Sequence, residues 1–265
     1  CVTNGIAFLV SLFLLLPFLN KKEADPRKGR SQHALLQEMF AYGLWGSADN
    51  IAEILTTRLN YFLIKQFAGL GSVGLLDAGT KMSESVWHIN RSIGFITYSH
   101  IAQTHNHEEQ KQITLRFFKL TFCAVTLATG CILLIPEWIY TDYLFSNEFA
   151  GMRNVITGLS AGIIALACNS ILCQYFTGSG QIRYSAGSSF VGLISLLGSG
   201  YLLIPHYGVF GSAISSSIAF CTMLAFSMII FCWRTKARPK DFLISKENVK
   251  LVLRKLRLTH DSDQS

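Results

Sequence analysis

The chain has 265 residues, of which 50% are hydrophobic and only 15% are charged, and its mean hydropathy is +0.36. Soluble domains average about 25% charged residues, so the composition argues against a soluble protein and predicts an integral membrane protein. The net charge of +7 does not indicate a nucleic-acid partner, because the basic residues are concentrated in alternate connections between long apolar stretches.

Apolar stretches of membrane-spanning length follow one another along the chain. Each approaches or exceeds the ~20 residues that cross a hydrocarbon core, and together they predict an all-α, polytopic bundle of about seven spanning helices. They lie at about 1–19, 41–67, 72–100, 113–135, 153–176, 184–204 and 209–232. The first stretch lacks the basic segment and cleavage site of a signal peptide. We interpret it as the end of a helix whose start is missing, so the chain is expected to be a fragment.

The cysteines and histidines do not indicate a metal site. The 7 cysteines lie in or beside apolar stretches without a CxxC spacing, which is typical of free buried thiols. His105 and His107 lie near Glu108 in a polar loop, but this segment lacks the further ligands of a closed metal site. We therefore expect neither a metal nor a cofactor.

The distribution of basic residues predicts the orientation in the membrane. Basic residues stay on the cytoplasmic side during insertion, which predicts a cytoplasmic C-terminus. The cytoplasmic segments are then 20–40, 101–112, 177–183 and 233–265. The predicted organisation is one helix at 1–19, a basic linker at 20–40, a six-helix bundle at 41–232 and a basic amphipathic tail at 233–265.

Two of the predicted helices carry ionisable residues at helical spacing, which places each set on one face. On the second helix, Asp49, Glu53, Thr56 or Thr57, and Asn60 recur at spacings of three and four, and on the third, Asp77, Lys81, Glu84, His88 and Arg91 do the same. The short turn at 69–71 predicts that these helices run antiparallel. Equal distances from the turn predict that Asp49 lies near Arg91, Glu53 near His88, and Arg58 near Glu84.

A charge at the bilayer centre costs roughly 2.5–3.5 kcal/mol on insertion scales, so these side chains must face protein or water. They either form structural ion pairs between the two helices or line a hydrated cavity for a polar or anionic substrate. In a cavity, Arg58 and Arg91 are the candidate anion-binding groups, with Asn60 beside them, because guanidinium binds phosphate in a bidentate manner. The candidates for ion pairs or for a coupling proton are Asp49, Glu53, Asp77, Glu84 and His88.

The last four predicted helices differ from these two, because they are rich in glycine, serine and alanine. Small residues allow close helix packing in lipid, where apolar burial gives little drive for association. We therefore predict a structural role for these residues.

Three segments carry a family resemblance. Residues 69–81 (GLGSVGLLDAGTK), 174–183 (QYFTGSGQIR) and 204–215 (IPHYGVFGSAIS) resemble O-antigen-type polysaccharide flippases of the multidrug/oligosaccharidyl-lipid/polysaccharide exporter superfamily. The resemblance implies two helical bundles around a central cavity, with 41–232 as six helices of the second bundle. It also implies that Arg58, Lys81 and Arg91 face that cavity and that a lipid-linked glycan is flipped by alternating access.

Rival interpretations remain open. A cation-coupled multidrug exporter of the same superfamily would need an acidic cavity, whereas this sequence mixes acids and bases. A membrane enzyme of glycan assembly, such as a polymerase, would need a large outer loop, and the connection at 137–151 is short. We expect a transporter rather than an enzyme, with membrane lipids and glycan-assembly enzymes as its partners.

Overall fold

A computed structural model describes residues 32–104, 106–135 and 151–242 of the chain. These residues form five α-helices and a short 3-10 helix, with no strand among them. The helices are α1 (Gln32–Ala68), α2 (Leu70–Gln103), α3 (His107–Leu134), α4 (Met152–Gly178) and α5 (Ile182–Thr235), followed by the 3-10 helix Pro239–Phe242. The predicted all-α class is confirmed. The predictions for 1–19, for most of the loop at 137–151 and for most of the tail lie outside the described residues.

The first helix begins at Gln32, inside the range that the sequence assigned to a linker. Alanine, leucine, glutamine and glutamate between Gln32 and Met39 are strong helix formers, which explains the extension. The contacts divide the chain into two units between Ala41 and Tyr42. Residues 32–41 are the described part of the first unit, and the helical bundle belongs to the second.

Helix α5 is a hairpin of two antiparallel arms, 182–207 and 209–235. Gly208 has φ 55° and ψ −127°, a conformation that L side chains rarely adopt and that reverses the chain. The Ser188 hydroxyl donates to the Met223 carbonyl at 3.2 Å, although these residues would lie about 52 Å apart on one straight helix. The two separate apolar stretches predicted here are therefore confirmed.

The turn between α1 and α2, beside the charged faces, is shorter than predicted. Gly69, with φ 84°, alone joins α1 to α2. The Tyr61 hydroxyl of α1 donates to Asp77 Oδ1 of α2 at 3.0 Å, and both residues are eight positions from Gly69. The two helices therefore run antiparallel, as the sequence predicts.

Helix α4 lies at the centre of the bundle and packs against α2, α3 and α5. Gly162 shows how close this packing is, because a Cβ atom there would lie 2.6 Å from Ser217 Cα in the second arm of α5. The core around α4 includes Leu76, Val86, Val125, Val155, Leu159, Ile163, Ala167 and Ala213. The predicted close packing through small residues is confirmed at this interface.

Three of the described helices, α3, α4 and α5, are long and apolar enough to cross a membrane by length and composition. Their outer surfaces carry large exposed apolar side chains, such as Leu127 (72% exposed), Ile194 (69%) and Leu202 (72%). Water would disfavour such a surface, whereas lipid accommodates it. The polar faces of α1 and α2 keep these two helices outside that group, and their membrane crossing stays a prediction.

Candidate functional site

The charged faces of α1 and α2 meet near the Gly69 turn. Asp77 accepts the hydrogen bond from Tyr61 and also forms an ion pair with Lys81, whose Nζ lies 2.6 Å from Asp77 Oδ2. The Lys81 side chain is 71% exposed, so this pair is at the surface of the bundle. Exposed pairs one helical turn apart contribute only about 0.3–0.5 kcal/mol to stability, so a structural role alone does not account for Lys81.

Farther from the turn, one group of charges spans both helices. Glu53 of α1 interacts electrostatically with Asp49 on its own helix and with Glu84 and Arg91 of α2. Glu53, Glu84 and Arg91 are exposed on the bundle surface. The two predicted faces thus come together. The side chain of His88 is outside the described residues, so its pairing with Glu53 stays a prediction.

Asp49 has partners that the sequence did not indicate. Its carboxylate accepts hydrogen bonds from the hydroxyls of Ser185, at 2.7 Å, and Ser189, both in the first arm of α5. The two serines are one turn apart and present their hydroxyls on one face. Asp49 therefore joins α1 to α5, and its predicted position near Arg91 stays a prediction.

A small cleft, partly open to solvent, lies between α1, α2, α4 and the second arm of α5, and about 50 Å³ of it is open to the centre of a water-sized sphere. Its polar lining consists of Thr56, Thr57, Asn60, Tyr61, Thr80, Glu84 and Ser216, and its apolar wall is formed mainly by α4. Glu84 supplies the one carboxylate among these lining residues, and no Lys or Arg is among them. The cleft is therefore suited to hydroxyl-bearing or cationic groups rather than to a bare anion.

Asn60, predicted to contact substrate, has its amide engaged within the protein. Its Nδ2 donates to Ser216 Oγ at 2.8 Å, and its Oδ1 accepts from Ser212 Oγ at 2.7 Å. Asn60 is buried, with only 9% of its surface exposed. Its observed role is to join α1 to the second arm of α5, at one wall of the cleft.

The three basic candidates lie on the exposed side of the bundle. Arg58, Lys81 and Arg91 are all exposed and do not line the cleft. On the exposed face of α1, Arg58 is flanked one turn away on each side by Ile54 and Phe62, which are 59% and 61% exposed. This face combines a cation with apolar surface. A cationic cavity would require further protein or water opposite it and stays a prediction.

Two further asparagines, not singled out by sequence reasoning, organise the interior. Asn90 Nδ2 of α2 donates to Ala167 O at 3.1 Å and to Ser170 Oγ at 2.6 Å, both in α4. Asn169 Oδ1 accepts from Ser188 and Ser227, one in each arm of α5. The available signal was an asparagine within an otherwise apolar helix, where each polar group needs a partner.

The fold of the described helices is similar to that of a solved structure. The chain is similar to the crystal structure of a MATE mutant, with a TM-score of 0.70 and 15% identity, over 86% of this chain and 53% of that chain. It is also 20% identical over 226 residues to MJ1068, an uncharacterized membrane protein of Methanocaldococcus jannaschii, a match that covers 83% of this chain and 45% of that protein. No protein-family model matches the chain.

The chain thus spans about half the length of the proteins that it matches. At such low identity, the structural match shows the fold alone. The matched fold agrees with the predicted all-α bundle. It shows neither a family nor a substrate for this chain.

Proposed function

We propose that this chain is one helical bundle of a membrane transporter that flips a lipid-linked oligosaccharide across a bacterial inner membrane by alternating access. The observation that carries the proposal is the exposed face of α1 and α2, which presents Arg58, Glu84 and Arg91 on helices of a MATE fold. Charges at membrane depth are costly unless they meet water or protein, which makes them functional candidates.

The exposed face of α1 has the groups that would bind an amphiphile. A lipid-linked glycan combines an anionic phosphate group with a long apolar chain. Arg58 offers a guanidinium that binds phosphate through two parallel hydrogen bonds, while Ile54 and Phe62 offer apolar surface one turn to either side. Arg91 on α2 supplies a second cation of the same kind.

The second candidate is export of cationic drugs, and two observations favour it. The matched structure is a MATE protein, and the cleft contains Glu84 without a basic residue. A carboxylate beside an apolar wall suits an organic cation better than a phosphate. For a membrane enzyme of glycan assembly, the described residues supply no comparable arrangement.

Complementation with single substitutions in the full-length protein tests the proposal. We expect Arg58→Ala and Arg91→Ala each to abolish surface polysaccharide in a flippase-deficient strain while membrane expression is unchanged, because each removes a phosphate-binding group. Arg153→Ala is the matched control, since Arg153 is an exposed arginine at the start of α4 and belongs to neither charged face.

Wild-type polysaccharide in both variants would contradict the anion-binding assignment. Drug export predicts a different pattern, in which Glu84→Gln removes drug resistance and the two arginine variants retain it. Glycan-assembly enzymes as partners are part of the proposal, and co-purification of such an enzyme with the full-length protein tests them.

A further inference from the structure

Buried polar atoms without a protein partner are concentrated on two helices. In the described ranges, five buried side-chain atoms have no hydrogen-bond partner in the protein, and all five belong to α2 or α3. They are Ser83 Oγ, Asn90 Oδ1, Gln110 Oε1, Thr121 Oγ1 and Thr129 Oγ1. Buried polar groups are almost always hydrogen-bonded, so five exceptions at one interface require an explanation.

Two of these atoms lie together at the α2–α3 interface. Gln110 donates to the carbonyl of Ile101 near the turn between the helices, and Ser83 and Thr129 line one small cavity farther along.

Other buried threonines of α2 and α3 donate their hydroxyl to the backbone carbonyl one turn earlier in the same helix. Thr97 donates to Ile93 O and Thr114 donates to Gln110 O, each at 2.8 Å, within its own helix. The hydroxyls of Thr121 and Thr129 do not make this bond and are directed elsewhere. They are as buried as their neighbours, at 0% and 5% exposure.

The cavity lined by Ser83 and Thr129 has the size and lining for a small polar ligand. Ser83, Thr129 and Ser160 bring three hydroxyls to it from α2, α3 and α4, and the remaining wall is apolar. About 10 Å³ is open to the centre of a water-sized sphere, which is about the space that one water molecule needs. Its lining contains no carboxylate, so a cation would remain uncompensated.

We propose that the α2–α3 interface contains a water-binding site, in which one ordered water bridges Ser83 Oγ and Thr129 Oγ1. A water typically makes about three hydrogen bonds to buried polar groups, and the Ser160 hydroxyl, which itself donates to Thr157 O, offers a third partner as an acceptor. Ile163 lines both this cavity and the cleft that contains Glu84, so the cleft is the nearest source of solvent. This inference is independent of the transported substrate.

An isosteric substitution distinguishes a bound water from an unpartnered hydroxyl. Thr129→Val keeps the volume and removes the hydroxyl. If the hydroxyl binds water, the midpoint of thermal unfolding of the full-length protein in nanodiscs should fall by about 2–4 °C. If it has no partner, removing it should leave the midpoint unchanged or raise it, which would overturn the proposal.

A double-mutant cycle tests whether Ser83 and Thr129 share the water. We expect Ser83→Ala and Thr129→Val to be non-additive, because either substitution alone already disturbs the bridge. The control cycle combines Ser83→Ala with Thr114→Val, whose hydroxyl is satisfied within α3, and should be additive. Additivity in the first cycle would overturn the shared site.

A cryo-EM map of the unmodified protein that resolves waters provides a measurement free of mutation. We expect solvent density within hydrogen-bonding distance of both Ser83 Oγ and Thr129 Oγ1. A direct bond between the two hydroxyls, or an empty cavity in such a map, would overturn the proposal even if the variants fail to fold.

Discussion

At the scale of single residues, three asparagines hold the helices together. Asn60 joins α1 to the second arm of α5, Asn90 joins α2 to α4, and Asn169 joins α4 to both arms of α5. In lipid, apolar contacts between helices contribute little free energy to association. Side-chain hydrogen bonds of this kind therefore contribute more to the choice of which helices pack together.

Of the three asparagines, Asn169 is the one whose loss should destabilise the bundle most. The Ser188 and Ser227 hydroxyls both donate to its Oδ1, at 3.3 and 2.6 Å, and the residue is 3% exposed. We expect Asn169→Ala to destabilise the protein by about 1 kcal/mol, in line with interhelical bonds measured in membrane proteins. Thermal unfolding in detergent measures the effect.

Asn154→Ala is the control for that substitution, because Asn154 is an exposed asparagine on the same helix. It should leave the unfolding midpoint unchanged. Equal midpoints for the two variants would show that the Asn169 hydrogen bonds do not stabilise the bundle.

The positions of the charged residues show what sequence alone can establish. Helical spacing correctly placed Glu53, Glu84 and Arg91 on meeting faces, because two helices joined by one glycine must run antiparallel. It did not indicate the serine partners of Asp49, since the phase of α1 relative to α5 depends on tertiary packing that no spacing encodes. The cleft was also out of reach, because four helices from distant parts of the sequence form it.

At the scale of elements, the central interface is that of α4 with the second arm of α5. Gly158 and Gly162 are one turn apart on α4, and the Ser217 hydroxyl donates to the carbonyl of Gly158 at 2.5 Å. Such an approach of two helices leaves no room for a side chain between the backbones. The glycine-rich composition predicted this packing, whereas the particular contacts required the structure.

Gly162→Ala should therefore weaken this interface. An added Cβ would meet the backbone at Ser217 Cα, which cannot move aside as a flexible side chain can. Overpacking of this kind costs about 1–3 kcal/mol, and we expect a lower unfolding midpoint and a lower yield of folded protein. Gly130→Ala is the control, because nothing lies within 4 Å of a Cβ at that helical position in α3. An unchanged midpoint for Gly162→Ala would mean that the helices separate at little cost.

At the scale of the whole bundle, the start of the bundle in α1, the turn after α4 and the end of α5 come together at one end. The Tyr42 hydroxyl donates to Thr177 O at 2.9 Å, and Arg234 Nε donates to Gln181 Oε1 at 3.0 Å. The turn after α4 and the end of α5 both belong to segments that the charge distribution predicts to be cytoplasmic, so one orientation of the described bundle can satisfy both.

The orientation itself can be tested with single cysteines in a full-length protein whose native cysteines have been replaced. His206 lies at the tip of the α5 hairpin and Lys236 follows its last residue, and both are exposed. We expect His206→Cys to react with a membrane-impermeant maleimide on intact cells. Lys236→Cys should react only after permeabilisation, because it lies at the basic end. Labelling of both positions in permeabilised cells is the control for reactivity, and the reverse pattern on intact cells would place the basic end outside.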